Sequence, residues 1–204
     1  MGPVGYYIAV APPGDKPHSG ALETDARSPG DGELLRRLRL REPAALAELA
    51  ERYGAALVRT ACLHLGNGYA AEDLAQETLL AAWDGARRVA EGSNLRPWLM
   101  GILLNQCRKY RRSWWRRLRR QWTAAQRRTA RAADAPSEEE LESLREALAR
   151  LDEKLRSVVI LRFLEGFSVA QTAEALRIPE GTVKSRTHAA LRELRCLLRR
   201  NHDP

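Results

Sequence analysis

Residues 168–195 read SVAQTAEALRIPEGTVKSRTHAALRELR, and this stretch decides the fold. Ser168 followed three positions later by Gln171 is a capping box, in which each side chain satisfies a backbone amide of the first turn; a short helix starts there and reaches Leu176. Arg177, Ile178 and Pro179 make the turn. A second helix begins at about Gly181 or Thr182 and runs to Leu198, with Val183, Leu191 and Leu194 facing inward beside Ala173, Leu176 and Ile178. Short helix, tight turn, longer helix is the helix-turn-helix plan, whose first helix braces the second so that its N-terminal turns enter a major groove. Thr182, Lys184, Ser185, Arg186, His188 and Ala189 then face outward, with Lys184 and Arg186 within reach of phosphate or guanine edges and Arg192 and Arg195 placed for phosphate. The competing reading is an ordinary helical hairpin with a solvated basic face.

Upstream, Ser137 and Glu140 form a second capping box, followed by Leu141, Leu144, Leu148 and Leu151 on one stripe. Asp152 is placed to cap a helix from Glu153 to Leu164, which Gly166 ends. In the first half, Leu35, Leu38, Leu46, Leu49, Tyr53, Leu57 and Val58 recur at helical steps, interrupted near Glu42 and Pro43. Gly66, Asn67 and Gly68 punctuate the chain; a helix from Ala70 to Trp83, a polar loop over residues 87–94 and a helix from about Pro97 towards Arg112 follow. No stretch alternates as a strand does. The fold class expected is all-α: two small helical domains, residues 31–112 and 137–200, joined by a flexible basic linker over residues 113–136. The Pro- and Gly-rich residues 1–30 read as a disordered extension.

Charge and composition narrow the function. The chain of 204 residues carries a formal charge of +8 and a pI near 9.9, which favours a polyanionic partner. Residues 108–131 hold eleven Lys or Arg and no Asp or Glu, so the rest sums to 8 − 11 = −3 and the basicity is one segment. That segment also contains Trp114, Trp115 and Trp122; it is free to contact nucleic acid or to extend the preceding helix, and the pairing of Trp with Arg makes membrane-surface binding its competing reading. Cys62, Cys107 and Cys196 are scattered and odd in number, which argues against a disulfide framework or zinc knuckle and for a reducing cytoplasm. His18, His64, His188 and His202 are equally dispersed. No apolar run approaches the ~18 residues of a membrane span. No nucleophile elbow, phosphate loop or metal spacing is present, so no enzyme, metal or cofactor is expected.

The blocks AEDLAQETLLAAWDGARR (71–88), LRPWLMGILLNQCRKYRR (95–112), LDEKLRSVVILRFLEGFSVAQTAEAL (151–176) and GTVKSR (181–186) occur in an order and spacing that resemble the extracytoplasmic-function (ECF) sigma factors of bacterial RNA polymerase, the group IV branch of the primary-sigma superfamily. The resemblance implies a non-enzymatic factor that directs promoter recognition, with residues 31–112 as sigma region 2 and 137–200 as sigma region 4. It assigns Asp73, Leu74, Gln76, Glu77 and Leu80 to the clamp helices of the polymerase largest subunit, and helical spacing puts Asp73, Gln76, Glu77 and Leu80 on one face, with Leu74, Thr78 and Ala81 on another. It assigns Arg96, Trp98 and Asn105 to melting and reading the minus-ten element, and the preceding loop, with Arg87, Arg88, Ser93 and Asn94, to a flipped base. Arg108, Lys109, Arg111 and Arg112 would track the backbone. Trp98 also reads as a core residue. Thr182, Lys184, Ser185, Arg186, His188 and Arg192 would read the minus-thirty-five element. Further implied partners are the flap of the second-largest subunit and an anti-sigma factor. Departures from the family pattern fall at Lys109, where an acidic residue is common; at Gly101, inside a helix usually uninterrupted; and at Asp152, in place of a proline. The alternative function is a helix-turn-helix regulator acting without polymerase.

Overall fold

The computed structural model describes residues 30–65, 70–90, 92–121 and 138–202. The extension before residue 30, the Gly66-Asn67-Gly68 punctuation and the Ser137 capping box lie outside the described residues. Among those described, every regular element is helical.

The first module is built from α1 (Asp31–Arg39), α2 (Pro43–Leu65), α3 (Ala71–Gly85) and α4 (Leu95–Gln121). Asp31 and Glu33 sit in the first turn of α1 and Arg36, Arg37 and Arg39 in its last, so both ends oppose the macrodipole. The interruption expected near Glu42 and Pro43 is a left-handed Arg41 (φ 61), after which Pro43 opens α2 at the one position where its missing amide costs nothing. Along α2, Leu49, Tyr53, Leu57 and Ala61 form a buried stripe that meets Leu74 and Ala75 of α3 and Leu99, Leu103 and Cys107 of α4. Buried Asp31 accepts hydrogen bonds from Arg52 (3.0 Å) and from the Tyr53 hydroxyl (2.7 Å), pinning α1 to α2. The helix expected to stop towards Arg112 instead continues to Gln121, so the first nine residues of the expected linker are helical: with neither Pro nor Gly between Gly101 and Gln121, nothing there breaks it.

The second module contains α5 (Glu138–Arg150), α6 (Glu153–Val159), a π-helical continuation over Ile160–Leu164, α7 (Val169–Leu176) and α8 (Glu180–His202). Asp152 caps α6, its carboxylate accepting from the Lys154 amide at 2.9 Å. The Ser168/Gln171 capping box is fully formed. Ala147, Leu148, Leu151, Val159, Ala190 and Leu194 make a small core of their own.

The two modules are docked. Leu161, Phe167 and Ala175 of the second reach into the larger core of the first. Arg156, 1% exposed, donates to the carbonyls of Leu148, Ala149 and Leu151 at the end of α5 and to that of His64 at the end of α2. One guanidinium thus satisfies orphan carbonyls of two helix C-termini in different modules.

Candidate nucleic-acid interface

On α3, Asp73, Gln76 and Glu77 are exposed and Leu80 is 57% exposed, so a solvent-facing leucine is ringed by acidic and amide groups. The face predicted from helical spacing is therefore the outer one. Leu74 departs from the expectation: it is 4% exposed and packs in the core, because position 74 lies a quarter turn from that face and among the buried Ala71, Ala75 and Thr78. Its contribution is to packing and not to a partner surface. The Thr78 hydroxyl, with one proton to give, lies 2.7 Å from the Leu74 carbonyl and 2.6 Å from the side-chain amide of Gln106 on α4, fixing α3 on α4.

The loop after α3 is braced from α1. Arg39 donates to the carbonyls of Ala86 and Val89, and Arg87 returns a bond to the Arg39 carbonyl at 3.3 Å. Arg41 stacks on the Trp83 ring at 5.2 Å and reaches Asp84 at 3.2 Å. This leaves Arg87 and Arg88 exposed and Ser93 and Asn94 half-buried at the entrance to α4. Asn105, Lys109 and Arg112 are exposed along α4. Trp98 is half-buried against the core, its ring so near Gly85 that a Cβ there would sit 3.3 Å from Cζ2; this is a packed position rather than an open stacking platform.

Three of the assigned minus-ten residues are engaged by the second module. Arg96 donates to the Glu165 carboxylate (3.0 Å) and carbonyl (2.8 Å) and lies 4.8 Å over the Phe167 ring. Asn94 reaches Glu174 at 3.4 Å, and Arg108 pairs with Glu153 at 2.9 Å. The Glu165 carboxylate is fully buried and also accepts from Arg59 (3.1 Å) and Thr60 (2.9 Å). Glu165 is a residue the sequence did not single out; its one signal is its place just before Gly166, where the π-helical turn ends and presents it to α2 and α4.

On α8, Lys184, Ser185, His188 and Arg192 are exposed, and Thr182 and Arg186 are half-buried. The turn before α8 uses a left-handed Arg177 (φ 53), and Val183 and Ala190 anchor the inner face. Arg186 also lines a cavity of about 430 Å³ between the modules, with Arg108, Arg112, Lys154, Asp152 and Glu153 around it. The described residues hold no group of His, Cys, Asp or Glu placed to bind a metal, and none of their helices is long and apolar enough to cross a membrane. Burial pushes the Cys107 thiol up to about 12, so it stays protonated.

The family description "Sigma-70 region 2" matches residues 49–128 and "Sigma-70, region 4" matches residues 141–194. The ECF RNA polymerase sigma factor SigL of Mycobacterium tuberculosis is 35% identical over 162 residues, spanning 77% of this chain and 90% of the relative. Among solved structures, CnrH in complex with the cytosolic domain of CnrY superposes with a TM-score of 0.65 at 26% identity, covering 83% of this chain and 97% of that one. The sigma factor RpoE in complex with the anti-sigma factor NepR from Bartonella quintana gives 0.64 at 29% identity, covering 75% and 96%. Two helical modules in this order, with an outward acidic helix in the first and a helix-turn-helix in the second, define a promoter-recognition subunit of the sigma-70 class. The chain belongs to the ECF RNA polymerase sigma factor family. The match to region 2 sets aside the alternative of a regulator that acts without polymerase, since a helix-turn-helix alone accounts only for the second half.

Proposed function

We propose that this chain works in the cytoplasm as the initiation factor of a specific regulon, with residues 31–112 gripping the polymerase core and reading the minus-ten element and residues 137–200 reading the minus-thirty-five element. The observation that carries this division is the pair of outward faces: Leu80 with Asp73, Gln76 and Glu77 on α3, and Lys184, Ser185, His188 and Arg192 on α8. A solvated leucine inside an acidic ring suits a helical partner that offers an apolar contact and basic residues, as clamp helices of the largest subunit do. The second module meets the flap of the second-largest subunit. Arg87, Arg88, Asn105, Lys109 and Arg112, with Ser93, line the path of the melted strand, where charge binds the backbone and polar groups capture an unstacked base. Arg96, Asn94 and Arg108 join that path once released from the second module. An anti-sigma factor masks these surfaces, in keeping with the relatives solved in complex with partners.

The test is a pull-down titration with purified core polymerase. Glu77→Lys reverses one charge on the outer face of α3 without touching the core, and its affinity is expected to fall about tenfold, a loss of about 1.4 kcal/mol. Unchanged affinity would remove α3 from the contact.

A further inference from the structure

The cavity of about 430 Å³ at the meeting of α4, α6, α7 and α8 is lined by Arg108, Arg112, Lys154 and Arg186 and by only two carboxylates, Asp152 and Glu153. Both carboxylates are already engaged: Asp152 caps α6 through the Lys154 amide, and Glu153 takes Arg108 at 2.9 Å. Among the described residues, neither Lys154 nor Arg186 enters an ion pair. The positive surplus continues behind the lining. Arg111 stands on the same face of α4 as Arg108, three positions on, and its Nη1 is buried without a hydrogen-bond partner. The pKa of buried Arg156 is pushed down to about 10, first by burial and then by the charge of Arg111 beside it. Cations crowded in this way are costly until an anion joins them. The walls are also held at fixed spacing. A Cβ at Gly101 of α4 would stand 2.6 Å from the Ala175 carbonyl oxygen of α7, and Arg156 ties α6 to the carbonyls of Leu148 and His64 at the ends of α5 and α2.

We infer that this cavity is a binding site for a nucleoside di- or triphosphate. Guanidinium groups take phosphate oxygens in paired parallel hydrogen bonds, and the Lys154 ammonium adds a point charge. Leu176, at the end of α7, and Ile178, in the turn after it, are half-buried and add apolar lining that phosphate alone leaves unused and a nucleoside covers. Their side chains carry no donor or acceptor, so the base is held by contact and is not read. The volume of about 430 Å³ falls in the range of about 300–1,000 Å³ typical of small-molecule sites. The consequence of filling the site, though not the site itself, rests on the promoter-reading role proposed for α4 and α8. Arg108 and Arg112 belong to the path of the melted strand and Arg186 to the minus-thirty-five face, and a guanidinium bonded to one phosphate is lost to another. Nucleotide and promoter therefore compete, and by linkage each weakens the other's binding by the same factor.

The test uses the full-length chain, with ADP and inorganic pyrophosphate as probes, since both carry two phosphates and only ADP carries a nucleoside. Calorimetric titration is expected to show one ADP bound per chain and weaker binding of pyrophosphate. Lys154→Glu reverses an exposed charge of the lining that belongs to neither proposed promoter surface, and its ADP affinity is expected to fall about tenfold. Lys184→Glu reverses an equally exposed charge outside the lining and is expected to bind ADP as wild type does. ADP is also expected to reduce the promoter complex that wild type forms with core polymerase, and to do so less effectively with Lys154→Glu. Absence of saturable ADP binding, an equal loss in both charge reversals, pyrophosphate binding as tight as that of ADP, or ADP binding without effect on the promoter complex would overturn the proposal. So would a Lys154→Glu chain that loses promoter affinity while wild type binds no ADP, the result expected if the cavity takes DNA phosphate instead. Failure of the sigma-factor reading itself looks different: the free chain would still bind ADP, but no form of it would direct a start site.

Discussion

His64 sits at the end of α2, fully buried under α6, with Nε2 3.0 Å from the Ser157 hydroxyl. That hydroxyl spends its own proton on the Glu153 carbonyl (2.8 Å), so it accepts from His64 and the imidazole carries its hydrogen on Nε2. Burial, then the positive charges of Arg156, Arg111 and Arg108, push its pKa from 6.5 down to about 3. The sign of the consequence is fixed: an unfolded chain takes up a proton below pH 6.5 that the folded chain refuses until about pH 3, so stability falls as pH falls through that window. The expected loss attributable to His64 is about 1.4 kcal/mol between pH 7.5 and 5.5, and comparing thermal melts of wild type and His64→Gln at the two pH values checks it, since the variant must lack that component. Ser168→Ala, which removes a cap accepting from the Gln171 amide at 3.1 Å, is expected to cost about 1 kcal/mol in a denaturant titration. Caps of this kind were legible because they depend on residues two or three apart. The burial of Leu74 was not separated from its exposed neighbours by motif alone, although its place on the other helical face was read correctly.

At the scale of elements, the helices and their breaks followed from periodicity, from Pro43 at the start of α2 and from Gly166 after α6. The end of α4 was left open: a run of arginines without acids reads as a linker or as more of the preceding helix, nothing in it stops a helix, and the helix reaches Gln121. On α8, the outward Lys184 and half-buried Arg186 have distinct expected roles. Lys184→Ala should weaken promoter binding across sequences and flatten the slope of log affinity against log salt by about 0.9. Arg186→Ala should instead cost about 1–3 kcal/mol on the cognate sequence and relax discrimination there. Competition binding of the polymerase complex at several salt concentrations distinguishes the two, and identical behaviour of the variants would contradict the assignment.

For the whole molecule, a two-module plan was readable from the order of its motifs, but the docking of one module on the other was not. Leu161, Phe167 and Ala175 look from the sequence like residues of their own module's core, Arg96 looks like a promoter contact, and Gly101 looks like a flaw in a helix. Their pairing is between positions some 70 residues apart, as for Arg96 with Glu165, and periodicity carries no information at that separation. The measurement that bears most directly on the central claim is start-site mapping by run-off transcription with core polymerase and a panel of promoters, with and without the full-length chain. Discrete starts that appear only when the chain is added, and fade with Glu77→Lys, are the predicted result. A chain that binds promoter duplex by itself while leaving the start sites of core polymerase unchanged would contradict it.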